Sequence, residues 1–171
     1  MKKIIFILIA TTMSCAASQK GYKSISPQSR IIVKNDKIED RSIYTHEDFV
    51  GYFSKKSIEL YIIKMGKKKY LRIVFSYTGN DWIFFERMIL SGVNEKIEYS
   101  IDSFDKFTNV NSNASVIEKA DLKIEDAKLK VLKNIFSNSF TLRLSGKYYT
   151  DEEYRDCDAC LELIDFYEKL D

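Results

Sequence analysis

Proline and histidine are almost missing from this chain of 171 residues, each occurring once, as Pro27 and His46. With only six glycines as well, the composition excludes a collagen-like repeat and a Pro- or Gly-rich linker protein. A single imidazole excludes a zinc cluster built on several histidines, and any Ser-His-Asp arrangement has only His46 to use. His46-Glu47-Asp48 matches no catalytic motif, so His46 reads as a surface or turn residue. Net charge is scarce too. The 27 cations exceed the 25 acids by two, and Lys2 and Lys3 supply that excess, because residues 1–14 hold no acid. A chain without them is neutral and has no general attraction to phosphates, so no nucleic-acid partner is expected. No cofactor-binding or metal-binding motif is present, and none is expected to be needed. No apolar run approaches the roughly 20 residues that a membrane-spanning helix requires.

Aromatic residues, by contrast, are plentiful, with 11 Tyr, 11 Phe and Trp82. They alternate with Ile and Val in short runs, as residues of a half-buried sheet do. The length suits one domain with a single core.

The N-terminus has the three parts of an export signal: cationic Lys2-Lys3, an apolar stretch from Ile4 to Ala10, and small residues from Thr11 to Ala17. Two cleavages fit. Ala17 with Cys15, or Ala16 with Ser14, satisfies a general signal peptidase. Thr12-Met13-Ser14-Cys15 resembles the lipobox of bacterial lipoproteins, where the Cys is acylated and becomes the new N-terminus; Thr12 stands where Leu is usual. Three cysteines leave one unpaired in an oxidising compartment, and acylation of Cys15 would leave Cys157 and Cys160 as an even pair. The preferred division is a signal over 1–14, a lipidated Cys15 with a flexible tether over 15–29, and a single domain over 30–171. The tether could hold the domain at most about 45 Å from a bilayer.

Within the domain, SIELYIIKM and KYLRIVFSY alternate with period two around Gly66 and form a hairpin. After a turn from Thr78 to Asp81, WIFFERMIL and then KIEYSI continue the pattern, predicting a four-stranded antiparallel meander. IEDAKLKVLKNIF has helical spacing, and FTLRLSGKYY reads as a strand. Thr150 and Glu153 form a capping box that predicts a final helix from Asp151 to about Leu170. The expected class is α+β: an antiparallel meander covered on one face by two helices from the C-terminal half, in two layers.

Asp81-Trp82-Ile83-Phe84-Phe85-Glu86 as a strand opening, with Leu142-Arg143-Leu144-Ser145-Gly146-Lys147-Tyr148-Tyr149 before a C-terminal helix, resembles a family of small exported bacterial proteins of uncharacterised function, many of them lipoproteins. The resemblance covers about residues 56–170. It implies the fold and the export, and no activity, substrate or catalytic residue.

The chemistry-bearing candidates have bland readings beside them. Cys157-Asp158-Ala159-Cys160 reads as a structural disulfide or as two small buried residues. A redox role is disfavoured, because the predicted helix starts well before Cys157 and because Asp156 and Asp158 oppose a thiolate. Glu86, on the face of Trp82, Phe84 and Met88, would need Arg72 or Arg143 if that face is core, as an ion pair rather than a general acid. The lysines from Lys55 to Lys69, including Lys64, Lys67, Lys68 and Lys69, could meet anionic lipid or cell-wall polymer, or simply blunt a solvated hairpin edge. The sheet face carrying Tyr61, Tyr70 and Val74 is a candidate contact surface. The expected function is a non-catalytic envelope module, lipid-anchored to a membrane, that binds a protein or envelope component. The alternatives are a soluble secreted or periplasmic form and, for activity, an envelope hydrolase using carboxylates.

Overall fold

The structure, a computed structural model, describes residues 21–50, 57–110 and 114–171. Cys15, the expected export signal over 1–14, Lys55 and Lys56 lie outside the described residues. Eleven strands form two sheets. The larger contains β1 (Lys23–Ser24), β2 (Ile31–Asp36), β3 (Arg41–His46), β4 (Ile58–Met65), β5 (Lys68–Gly79), β8 (Lys106–Val110) and β9 (Val116–Lys123), in the order β1-β2-β3-β4-β5-β9-β8. The smaller contains β6 (Arg87–Ser91), β7 (Lys96–Ser100), β10 (Phe140–Ser145) and β11 (Tyr149–Tyr154), in the order β11-β10-β6-β7. Every pairing among them is antiparallel. Two helices, α1 (Leu129–Phe136) and α2 (Asp158–Lys169), complete an α+β fold.

The β4–β5 hairpin forms as its alternation dictates. Ile58 pairs with Phe75, Leu60 with Ile73 and Ile62 with Leu71, and all six are almost wholly buried. Each side chain so placed stabilises the fold by roughly 1.5–3 kcal/mol. Gly66 closes the turn at φ 56°, a left-handed conformation that costs glycine nothing sterically. One hydrophobic cluster then joins the two sheets to both helices, through Phe75, Phe85, Leu132, Leu142 and Leu163 among others.

The predicted meander divides. β5 pairs on its far side with β9, whereas β6 and β7 belong to the smaller sheet with β10. Asp81–Glu86 opens no strand: the segment is irregular and regular pairing begins at Arg87. The helix predicted from Ile124 starts at Leu129, after a short 3-10 turn at Asp126–Lys128, and Ile124 is buried in the connection. The capping box at Thr150 does not form, because Tyr149–Tyr154 pairs along the whole of β10 and Tyr154 stacks on Phe140 with ring centroids 4.9 Å apart. The ladder and the ring contact outweigh a local cap worth only about 1 kcal/mol. The final helix therefore begins at Asp158, with Cys157 at its N-cap.

Register gives the larger sheet two distinct ends. The β2–β3 turn, the β4–β5 turn and the C-terminus of α2 lie together at one, because Ser42 pairs with Lys64 and Lys64 meets the Asp171 carbonyl. Gly79 and Val116 close the other.

Candidate binding surface

At the end formed by Gly79 and Val116, Glu118 sits on β9 opposite Tyr77. It is the buried carboxylate among the described residues, 3% exposed, on the inward row with Ala120 and Leu122. Its Oε1 accepts the backbone N–H of Ile83 at 2.6 Å and of Phe84 at 3.0 Å, and its Oε2 accepts that of Phe85 at 3.1 Å. Three successive amides converging on one anion form a concave nest, and the charge-assisted bonds offset the cost of burying the carboxylate. The nest requires a kink, and Phe84 adopts φ 54°. A non-glycine residue in this region costs on the order of 1–2 kcal/mol.

The kink reverses the alternation. Ile83 and Phe85 both turn inward, 6% and 0% exposed, while Phe84 is thrust outward at 50%. Trp82 stacks beside Phe84, the ring centroids 6.1 Å apart and the planes 28° from parallel. The loop after β10 closes over the same segment. The Tyr148 N–H donates to the Ile83 carbonyl at 3.2 Å, and the Glu86 N–H donates to the Ser145 carbonyl at 3.0 Å. Gly146 approaches so closely that a Cβ there would lie 1.9 Å from the Phe84 carbonyl oxygen, so only glycine fits. Tyr148 and Tyr149 are exposed on this loop, with Lys147 over the Tyr148 ring and Arg143 over the Tyr149 ring. The segments Asp81–Glu86 and Leu142–Tyr149 are thus one local structure, an aromatic ledge of Trp82, Phe84 and Tyr148. No family model, curated protein or solved structure matches this chain.

The other candidates are placed elsewhere. Glu86 is exposed, and the cations expected to partner it are occupied: Arg72 with Asp121 at 2.9 Å and Arg143 with Asp151 at 2.6 Å. Tyr61 donates its hydroxyl to Asp121 at 2.5 Å, and Lys123 lies over the Tyr70 ring, so both tyrosines of the outer sheet face are tied to neighbours. Burial, reinforced by Asp121, pushes the Tyr61 hydroxyl well above its ordinary pKa. Lys64 meets the Asp171 carbonyl, while Lys69 donates to the Tyr167 and Leu170 carbonyls, closing the last turn of α2. Lys67 and Lys68 are exposed on the turn.

His46, expected at the surface, is fully buried. Its Nδ1 accepts the Asp48 N–H at 3.1 Å, which leaves Nε2 to carry the proton toward Glu162, also at 3.1 Å. Arg30 gathers Glu47, Asp48 and Glu162 beside it, so the histidine joins β3 to α2 as part of a structural network. Cys157 and Cys160 sit at disulfide-bonding distance where α2 begins. Cys160 is wholly buried, and Cys157 borders a groove of about 530 Å³ with Arg30, Asp48, Glu152 and Asp156.

Neither the ledge nor the nest was readable beforehand. Trp82-Ile83-Phe84-Phe85 looks like alternating strand residues, and only Glu118, beyond three intervening strands in sequence, imposes the kink.

Proposed function

We propose that this chain is an exported envelope protein whose stub over 1–14 is removed and whose Cys15 is acylated, leaving a non-catalytic domain that binds a protein or envelope component through the ledge of Trp82, Phe84 and Tyr148. The export half rests on the Lys2-Lys3 and Ile4–Ala10 pattern and on the lipobox-like Thr12–Cys15. No helix among the described residues is long and apolar enough to cross a membrane; the acylated cysteine is the proposed attachment. The binding half rests on Phe84. The nest packs Ile83 and Phe85 into the core, and the same kink holds the Phe84 ring half in solvent; residues held in such conformations concentrate at functional sites. Paired aromatic rings supply rigid contact area at low entropic cost, which suits a partner surface.

Two measurements test this reading. Intact mass of the protein from its own envelope should show acylation at Cys15; an unmodified chain beginning at Ala16 or later overturns the anchor. Phe84→Gly, which relieves the strain and removes the ring, should keep the fold and lose at least tenfold of partner capture relative to wild type. Equal capture by Phe84→Gly and by Trp82→Ala overturns the ledge.

A further inference from the structure

We infer that the end of the larger sheet formed by the β2–β3 and β4–β5 turns docks on the surface of an anionic phospholipid bilayer, and that the ledge at the opposite end faces away from it. The inference rests on the anchor reading for its geometry. The described chain begins at Gly21, and β1 runs antiparallel to β2 with Lys23 opposite Val33, so Gly21 lies toward the β2–β3 turn. A Cβ on Gly21 would in fact touch the Lys34 side chain, 3.7 Å from its Cε. From Cys15 to Gly21 the chain spans at most about 21 Å. An acylated Cys15 therefore brings this end to the headgroups rather than the other.

The chemistry at this end fits what it would meet. Lys34, Lys37, Lys67 and Lys68 are exposed there, and no ion pair engages them among the described residues. The acids of the β2–β3 turn are held back: Asp36 accepts the backbone N–H groups of Ile38 and Glu39, and Arg41 pairs with both Asp36 and Glu39. Asp40 remains exposed, and Asp171 lies by Lys64. Between the lysines stand two exposed apolar side chains, Ile38 at 96% and the half-covered Met65 at 42%. Cations flanking protruding apolar residues are the pattern of an interfacial contact, where charge attracts and the apolar tips enter the headgroup layer.

The chain from position 15 onward contains every core residue from Ile31 to Tyr167, so it can be tested without lipid, as Cys15→Ser. It should sediment with vesicles of phosphatidylcholine and phosphatidylglycerol but not with phosphatidylcholine alone, and release as salt rises from about 0.1 to about 1 M. Lys67→Glu with Lys68→Glu should weaken that binding about 30-fold, two lysines at about 1 kcal/mol each. Absence of vesicle binding, binding indifferent to lipid charge, or binding to isolated anionic wall polymer instead would overturn the docking surface and leave the anchor standing. An unacylated Cys15 in the envelope protein would overturn the anchor while vesicle binding persisted.

Discussion

The two ends of the larger sheet are built on opposite rules. At the turn end the left-handed positions go to residues that tolerate them, Gly66 in the β4–β5 turn and Asp40 in the β2–β3 turn, and exposed lysines outnumber the exposed Asp40. At the Glu118 end a phenylalanine occupies the left-handed position and the charge is a buried carboxylate with three amides on it. Each end exposes apolar side chains, Ile38 and Met65 at one, Phe84 and Tyr148 at the other. The first set stands at the tips of hairpin turns, and the second on a segment clamped by Glu118. Projecting aliphatic tips suit a headgroup layer, whereas clamped rings suit a partner of fixed shape. The ends are separated by the length of β5, about 30 Å from Lys68 to Tyr77 at about 3.3 Å per residue.

Substitutions separate the two designs. Glu118→Ala should have the largest effect, because three amides lose their acceptor inside the fold and each unsatisfied group costs about 1–3 kcal/mol. Urea unfolding should show a loss of at least 3 kcal/mol, on the order of those three terms. A loss under about 1 kcal/mol would mean that the clamp is not structural. Gly146→Ala comes next, at about 1–3 kcal/mol, since the methyl group collides with the Phe84 carbonyl and the loop must shift. Reducing the Cys157–Cys160 link should cost about 2 kcal/mol, the modest effect of closing so short a loop. At the turn end, Lys67→Glu with Lys68→Glu should change stability by less than about 0.5 kcal/mol, as for exposed residues without partners. A large loss there would erase the contrast.

Stability responds to pH through two buried tyrosines, Tyr167 on α2 and Tyr99 on β7. Burial pushes the Tyr167 hydroxyl up to about 12, with its hydrogen bond to Asp126 adding to the effect, and burial with Glu125 nearby pushes Tyr99 up to about 12. Both folded values exceed the unfolded value of about 10. The neutral forms therefore contribute stability that is intact below about pH 10 and is lost as pH rises toward about 12. Far-UV circular dichroism in urea should show the midpoint falling across that window, and Tyr167→Phe should flatten the fall.

Where hydrophobic period alone decides structure, the sequence was sufficient: β4, β5, β7, β10 and most of α1 follow from it. β9 escaped because Glu118 stands on its inward row between Val116 and Ala120. The residue that builds the nest thereby hides the strand that carries it. β11 resembles a helix start because Thr150, Asp151, Glu152 and Glu153 are residues that cap helices, and their pairing with β10 is a long-range fact. His46 looked exposed because its partner Glu162 comes from α2, far along the chain. In each case the missing information was a contact made only once the chain had folded.

Trp82, the single tryptophan, provides the most direct test of the two-ended account. In the chain from position 15 bound to anionic vesicles, a tryptophan placed by Ile38→Trp in a Trp82→Phe background should shift to the blue and be quenched by brominated lipid. Native Trp82 should do neither. Quenching of Trp82, or no response from position 38 on vesicles that bind the protein, would contradict the account.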